Sequence, residues 1–120
     1  MRQHIRPMEW AEGEEIQFGP FRLFPRERRL EREGKPVRIG GRALDLLLCL
    51  IANAPDVVTK AALMDQVWPN LIVEEGNLRY QVAALRRALE DGGVSNHYVS
   101  TVQGRGHVFV CRVSRSLGIE

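Results

Sequence analysis

The sequence predicts an α+β domain made of a small N-terminal antiparallel sheet, three helices and a C-terminal β-hairpin. Three observations carry this prediction. Short apolar runs broken by turn residues fill residues 16–39; apolar residues then recur at helical spacing in three segments between 42 and 90; and two β-rich runs flank Gln103-Gly104-Arg105-Gly106. At 120 residues the chain fits one domain with a real core.

Residues 1–15, "MRQHIRPMEWAEGEE", are polar and aperiodic and read as a flexible arm. "IQFGPFRLF" is broken by Gly19-Pro20, and a turn at Gly34 separates the runs Arg28 to Arg32 and Pro36 to Ile39. From Arg42 to Asn53 the period changes: Leu44, Leu47, Leu48 and Ile51 form a stripe that Leu46 and Leu50 widen, so this helix is central. Pro55 disfavours helical geometry in the residue before it and ends the helix. Thr59 can cap a second helix, "KAALMDQVW", with Leu63, Val67, Met64 and Trp68 facing inward and Pro69 stopping it. Loop 69–75 leads to the third helix, about 75–90, so the second and third helices form a helix-turn-helix arrangement. After Gly92-Gly93 come the runs Tyr98 to Val102 and His107 to Val113, whose connection holds two glycines suited to positive φ.

Composition is that of an ordinary soluble protein: net charge +2, 44% hydrophobic, 27% charged. Charge is uneven, with eight Lys/Arg against three acids over 22–42, one Lys against five acids over 43–75, and six Arg against three acids beyond. Such runs are as often a solvated surface as a binding surface. Cys49 and Cys111 read as free thiols, which suits a reducing cytoplasm. No leader-like apolar region or stretch of membrane-spanning length is present, so the expected location is cytoplasmic.

The third helix carries the chemistry. Leu78, Val82, Leu85 and Leu89 share its buried side, while Gly76, Tyr80 and Arg87 point the opposite way, Asn77 and Ala84 lie to one side of that outer face, and Ala83 to the other with Arg79 and Arg86 on the flank. Small residues would let such a face enter a DNA major groove closely. Asn77 and Gln81 could then pair with adenine edges, Tyr80 could meet a thymine methyl or a phosphate, and Arg79, Arg86 and Arg87 would hold phosphates. Arg105, between two glycines at the hairpin tip, could enter a narrow minor groove. Taken singly, the helix arginines are more often ordinary solvated residues, and Arg105 is as often an ordinary polar turn residue.

The segment from about Phe18 to Val113 resembles the OmpR/PhoB-type winged-helix DNA-binding domain of bacterial transcriptional regulators. The pieces that carry the resemblance are "PVRIGGRALDLLL", "VVTKAALMDQVWP", "VEEGNLRYQVAALRRAL" and "YVSTVQGRGHVF", in this order. The last is similar to the family's T-V-x-G-x-G-Y-x-F wing, and Leu85-Arg86 to the L-R that closes its recognition helix. The resemblance implies a winged helix-turn-helix over residues 16–113, with a four-stranded N-terminal sheet, three helices and a β-hairpin wing at 103–107. It places the DNA-reading positions at Gly76, Asn77, Tyr80, Gln81 and Ala84, with a wing contact at Gln103 or Arg105. Gly76 and Ala84 stand where many relatives carry arginine, and His107 replaces the usual wing tyrosine, which shifts base readout toward Asn77, Tyr80 and Gln81.

The same resemblance implies binding as two copies on DNA, and a candidate RNA polymerase contact in loop 69–75, where Leu71, Ile72 and Val73 could equally plug the core. With about 15 residues ahead of the first strand, the domain is expected either to precede a sensor, ATPase or repeat region or to stand alone, with 114–120 as a tail or linker. Catalysis is not indicated: His4, His97 and His107 have no metal-ligand spacing with the cysteines, Asp45, Asp56 and Asp65 are single acids, no nucleophile or phosphate-loop motif occurs, and no cofactor is implied. The remaining alternative is a winged helix whose third helix binds protein; exposed large apolar anchors would favour it, and Tyr80 is the one that the helix offers.

Overall fold

Alternation builds the first sheet. In β1 (Glu14–Phe18) residues 14, 16 and 18 are buried, in β2 (Phe21–Phe24) Phe21 and Leu23, and in β3 (Arg29–Arg32) Leu30. The computed structural model describes residues 3, 5–6, 8–90 and 97–117. His4, the Gly92-Gly93 break and tail residues 118–120 lie outside them. Phe18 pairs with Phe21, so Gly19-Pro20 is a two-residue turn, and Gly19 sits at φ +53. β4 (Lys35–Pro36) is shorter than the expected run to Ile39; Pro36 has no N–H to extend a ladder, and the strand stays at the sheet edge.

The helices follow the apolar stripes closely. α1 (Gly41–Ala52) buries eight of its residues, including Leu44, Leu46, Leu47, Leu48 and Leu50, and packs against both other helices. Its Cys49 thiol is buried, which pushes its pKa up to about 11. α2 (Lys60–Val67) begins where Thr59 Oγ1 accepts from the Ala62 N–H at 3.2 Å, and Trp68 ends it. α3 (Glu75–Leu89) buries Leu78, Val82, Leu85 and Leu89, and ends at Glu90 with φ 54, in the left-handed region.

Two strands were not expected. β5 (Val58–Thr59), between α1 and α2, pairs with β7 (Gly106–Phe109), which also pairs with β6 (Val99–Val102) to complete a three-stranded sheet. β7 therefore ends at Phe109, not Val113, and residues 110–113 carry the chain back to the first sheet. There β8 (Ser114–Leu117) pairs with β1 as a fifth strand, in the order β4-β3-β2-β1-β8. Ser114–Leu117, expected within a tail or linker, is thus part of the sheet. The cause is backbone pairing joined to one ion pair: Arg115 Nε donates to the buried Glu14 carboxylate, which also accepts from the Ala11 N–H, and the Arg115 guanidinium lies 4.7 Å from the Trp10 ring centre. Burial alone would raise the Glu14 pKa; Arg115 and the Ala11 amide outweigh it and hold the carboxyl below its ordinary range.

The N-terminal arm touches the domain. The Gln3 amide donates to Val57 O at 2.8 Å and accepts from Thr59 N at 2.7 Å, and the Arg6 N–H donates to Asn53 Oδ1 at 2.8 Å. The Gln3 amide thus occupies backbone groups along β5, the edge strand of its sheet.

Candidate nucleic-acid interface

Burying one stripe of α3 leaves the opposite side in solvent. Gly76, Asn77, Arg79, Tyr80, Ala83 and Arg87 are exposed, and Gln81 and Ala84 half-buried. Tyr80 is 65% exposed, a large aromatic area left in water on an otherwise polar face. Asn77 Nδ2 donates to Glu74 O at 3.3 Å, so one amide proton is held by the first turn of the helix. At Gly76 an added Cβ would meet only the Arg79 Nη2 end at 3.6 Å, so the backbone there is open to an approaching partner.

The hairpin stands beside the start of this helix. Gly104 takes φ +75, and the Arg105 N–H donates to Val102 O at 2.9 Å, closing the turn. Arg105 O accepts from the Lys60 N–H at 3.2 Å, tying the tip to the head of α2. Gln103 and Arg105 are exposed and, with Lys60, Glu75 and Arg79, line a cleft between the hairpin and the two helix starts. Lys60 Nζ meets Glu75 Oε1 at 3.0 Å across its mouth, and hydrogen bonding to Lys60 lowers the Glu75 pKa. Gly106 is not a turn glycine as expected. Its φ is not positive; an added Cβ would fall 1.9 Å from Val58 O, so close packing of β5 requires it.

Arg86 departs from its expected phosphate role. Nε and Nη2 donate to Val99 O at 3.3 and 3.0 Å, and Nη2 also donates to Thr101 Oγ1 at 2.8 Å. The guanidinium is directed to β6, because the flank of α3 on which it lies faces that strand. Thr101 Oγ1 in turn lies 3.1 Å from Nδ1 of the buried His107. Burial, then the charges of Arg86 and Lys60, lower the His107 pKa. His107 therefore stands neutral one pair below the end of the β6–β7 ladder at the hairpin turn, where the Thr101 hydroxyl can accept from Arg86 and donate to Nδ1.

Much of the basic run at 22–42 is internally paired: Arg22 with Glu15, Arg28 with Asp45 at 2.9 Å, Arg29 with Glu31 at 3.0 Å and Arg32 with Glu90 at 3.1 Å. This is the solvated-surface outcome, and such exposed pairs contribute little stability. In loop 69–75, Leu71 and Ile72 project into solvent while Val73 packs on the core. The plugging alternative thus applies to Val73 alone. Among the described residues no helix is long and apolar enough to cross a membrane.

Comparison with known proteins bears on this surface. The sequence profile described as "Transcriptional regulatory protein, C terminal" matches residues 34–109. The phosphate regulon transcriptional regulatory protein PhoB of Pseudomonas aeruginosa is 35% identical over 95 residues, 78% of this chain and 41% of that protein. The chain spans less than half the length of the curated relatives it matches. The DNA-binding domain of Escherichia coli CadC superposes with a TM-score of 0.76 at 25% identity, over 87% of this chain and 98% of that one. The DNA-binding domain of Klebsiella pneumoniae RstA, crystallised in complex with RstA box, superposes with a TM-score of 0.68 over 79% and 95%; at 22% identity this likeness is one of fold.

Proposed function

The chain belongs to the family of transcriptional regulatory protein C-terminal domains, OmpR/PhoB-type winged helices, and on that premise we propose that it reads double-stranded DNA sequence-specifically for a bacterial transcriptional regulator. The observation that carries this reading is one surface: an exposed α3 face of amide, small and aromatic residues beside a glycine-flanked Arg105 across a shared cleft. α3 enters the major groove and the wing the adjacent minor groove. Asn77, Tyr80 and Gln81 read base edges, Gly76 and Ala84 admit the helix backbone closely, and Arg79 and Arg87 hold phosphates. Gln103 and Arg105 meet the minor groove, while Arg86 orders the wing from within.

The exposed Leu71 and Ile72 suit a protein contact with RNA polymerase, and two copies acting together on adjacent half-sites suit an operator longer than one domain's footprint. The domain works in the cytoplasm as a binding module, with no catalytic step.

Selection of bound duplexes from a random DNA pool at moderate salt tests the reading. An enriched motif of fixed sequence supports it; no enrichment favours the alternative, a helix face that recognises protein. Two variants assign roles within the motif. Asn77→Ala is expected to relax preference at one base pair, by about 1–3 kcal/mol of discrimination, and an unchanged profile would remove Asn77 from base reading. Arg87→Ala is expected to weaken binding to all sequences alike and to lower the salt slope by about 1; a loss confined to one sequence would contradict the phosphate contact.

A further inference from the structure

We propose that Arg86, Thr101 and His107 form a positioning relay that fixes the tilt of the wing against α3, and thereby selects which minor-groove tracts Arg105 can enter. The inference rests on the DNA-reading function proposed above. It gives a specificity-determining role to three residues that touch no base.

One planar guanidinium holds two points on the same strand: Val99 O and Thr101 Oγ1 both accept from Arg86. Two points two residues apart fix an angle as well as a distance, which a single ammonium on a flexible stem would not do. Thr101 lies opposite His107 in the β6–β7 ladder, so the bond to Nδ1 carries that orientation into the second strand of the wing. The tip lies roughly 7 Å beyond Thr101 by strand rise, so a tilt of about 15° at the Thr101–His107 pair moves it about 2 Å. Against a minor groove about 6 Å wide, such a shift separates insertion from collision.

The relay is set for a neutral imidazole: a proton on Nδ1 would reverse the bond and make the Thr101 hydroxyl accept from the ring as well as from Arg86. The charged groups around His107 are Arg86 from α3 and Lys60 from the head of α2, with Glu75, Arg79 and Arg105 lining the same cleft. Protonation therefore adds a cation beside two others. Since the folded pKa lies below the ordinary 6.5, the unfolded chain takes the proton first. The His107 contribution is complete above the unfolded pKa and is lost as pH falls from there through the folded pKa.

The test compares the selected duplex with the same duplex whose A·T flank is replaced by G·C, for the wild type, Thr101→Val and Thr101→Ser. In the wild type the A·T flank is expected to strengthen binding, and acidification to reduce that advantage. Thr101→Val is expected to shrink the advantage about three- to tenfold while leaving affinity for the G·C-flanked duplex within about twofold; Thr101→Ser, which keeps the hydroxyl, restores it. Arg86→Lys, which keeps the charge and loses the fork, should likewise shrink the flank advantage. NMR of the free protein should find the His107 proton on Nε2 in the wild type and a raised His107 pKa in Thr101→Val. An undiminished flank advantage in a folded Thr101→Val overturns the relay, as does an equal loss on both duplexes. A wild type indifferent to the flank overturns the minor-groove reading itself, and the relay with it.

Discussion

Replacing Gly106 by alanine is expected to cost about 3 kcal/mol or more of folding stability and to detach the wing from the helices. The added Cβ would stand 1.9 Å from Val58 O and 2.8 Å from Thr59 Cα, and neither is a flexible side-chain end that can swing aside. Both belong to β5, which pairs with β7 through Val58–His107 and Thr59–Gly106. Relief therefore requires parting the two strands. That would also strain the Lys60 N–H bond to Arg105 O and move Thr59, which caps α2. The control is Gly104→Ala. Gly104 has φ +75 with nothing within 4 Å of an added Cβ, so it meets backbone strain alone, about 1–2 kcal/mol. Urea unfolding of the two variants decides the matter: a Gly106→Ala loss no larger than that of Gly104→Ala would show that β5 is free to move.

Gly106 also marks where the sequence stops being legible. Two glycines around Arg105 look alike as turn residues, yet one answers a local dihedral requirement and the other a contact with a strand some 48 residues earlier. Only the first kind of demand is written in neighbouring residues. The α1 and α3 stripes were readable because a 3.6-residue period repeats over several turns, and each of their predicted core leucines is buried. β5 has two residues and so no period. β8 leaves all four side chains exposed, so no hydrophobic alternation announces it, and its ladder depends on the open edge of β1 and on the pair between Arg115 and Glu14.

The candidate site divides in the same way. Which residues of α3 face outward followed from geometry at about 100° per residue, and Gly76, Tyr80 and Arg87 are exposed as that geometry requires. The wheel assigns a direction but no partner. Arg86 lies on the flank, where its direction leads to β6 instead of solvent, and the chain reaches Val99 only 13 residues later. The signal available beforehand was weak: an arginine directly following a core leucine, together with a threonine and a histidine in facing positions of the hairpin.

The cluster that joins the two sheets yields the other large effect: Phe109→Ala is expected to cost about 3–5 kcal/mol. Phe109 is 1% exposed and meets Phe18 edge-on at 5.1 Å, while Phe18 stacks on Phe21 at 5.2 Å and Tyr98 closes the group against both Phe18 and Phe21. Phe18 and Phe21 belong to the first sheet; Phe109 belongs to the wing sheet and Tyr98 immediately precedes it. Removing the Phe109 ring thus opens a cavity at the joint, not at one end of the core. Against a total stability of about 5–15 kcal/mol for a domain of this size, the loss would lower the unfolding midpoint on the order of 10–20 °C. Phe109→Leu keeps most of the volume and is expected to cost about 1.5 kcal/mol or less. Thermal unfolding of both variants tests whether the joint is rigid. If alanine costs no more than leucine, β7 can close over the cavity by moving toward the first sheet. Phe109 faces Val99, whose carbonyl receives the Arg86 fork, so such movement would also shift the wing relative to α3. A large gap between the two variants would mean that the aromatic joint and the Arg86 fork together leave the wing only one seat.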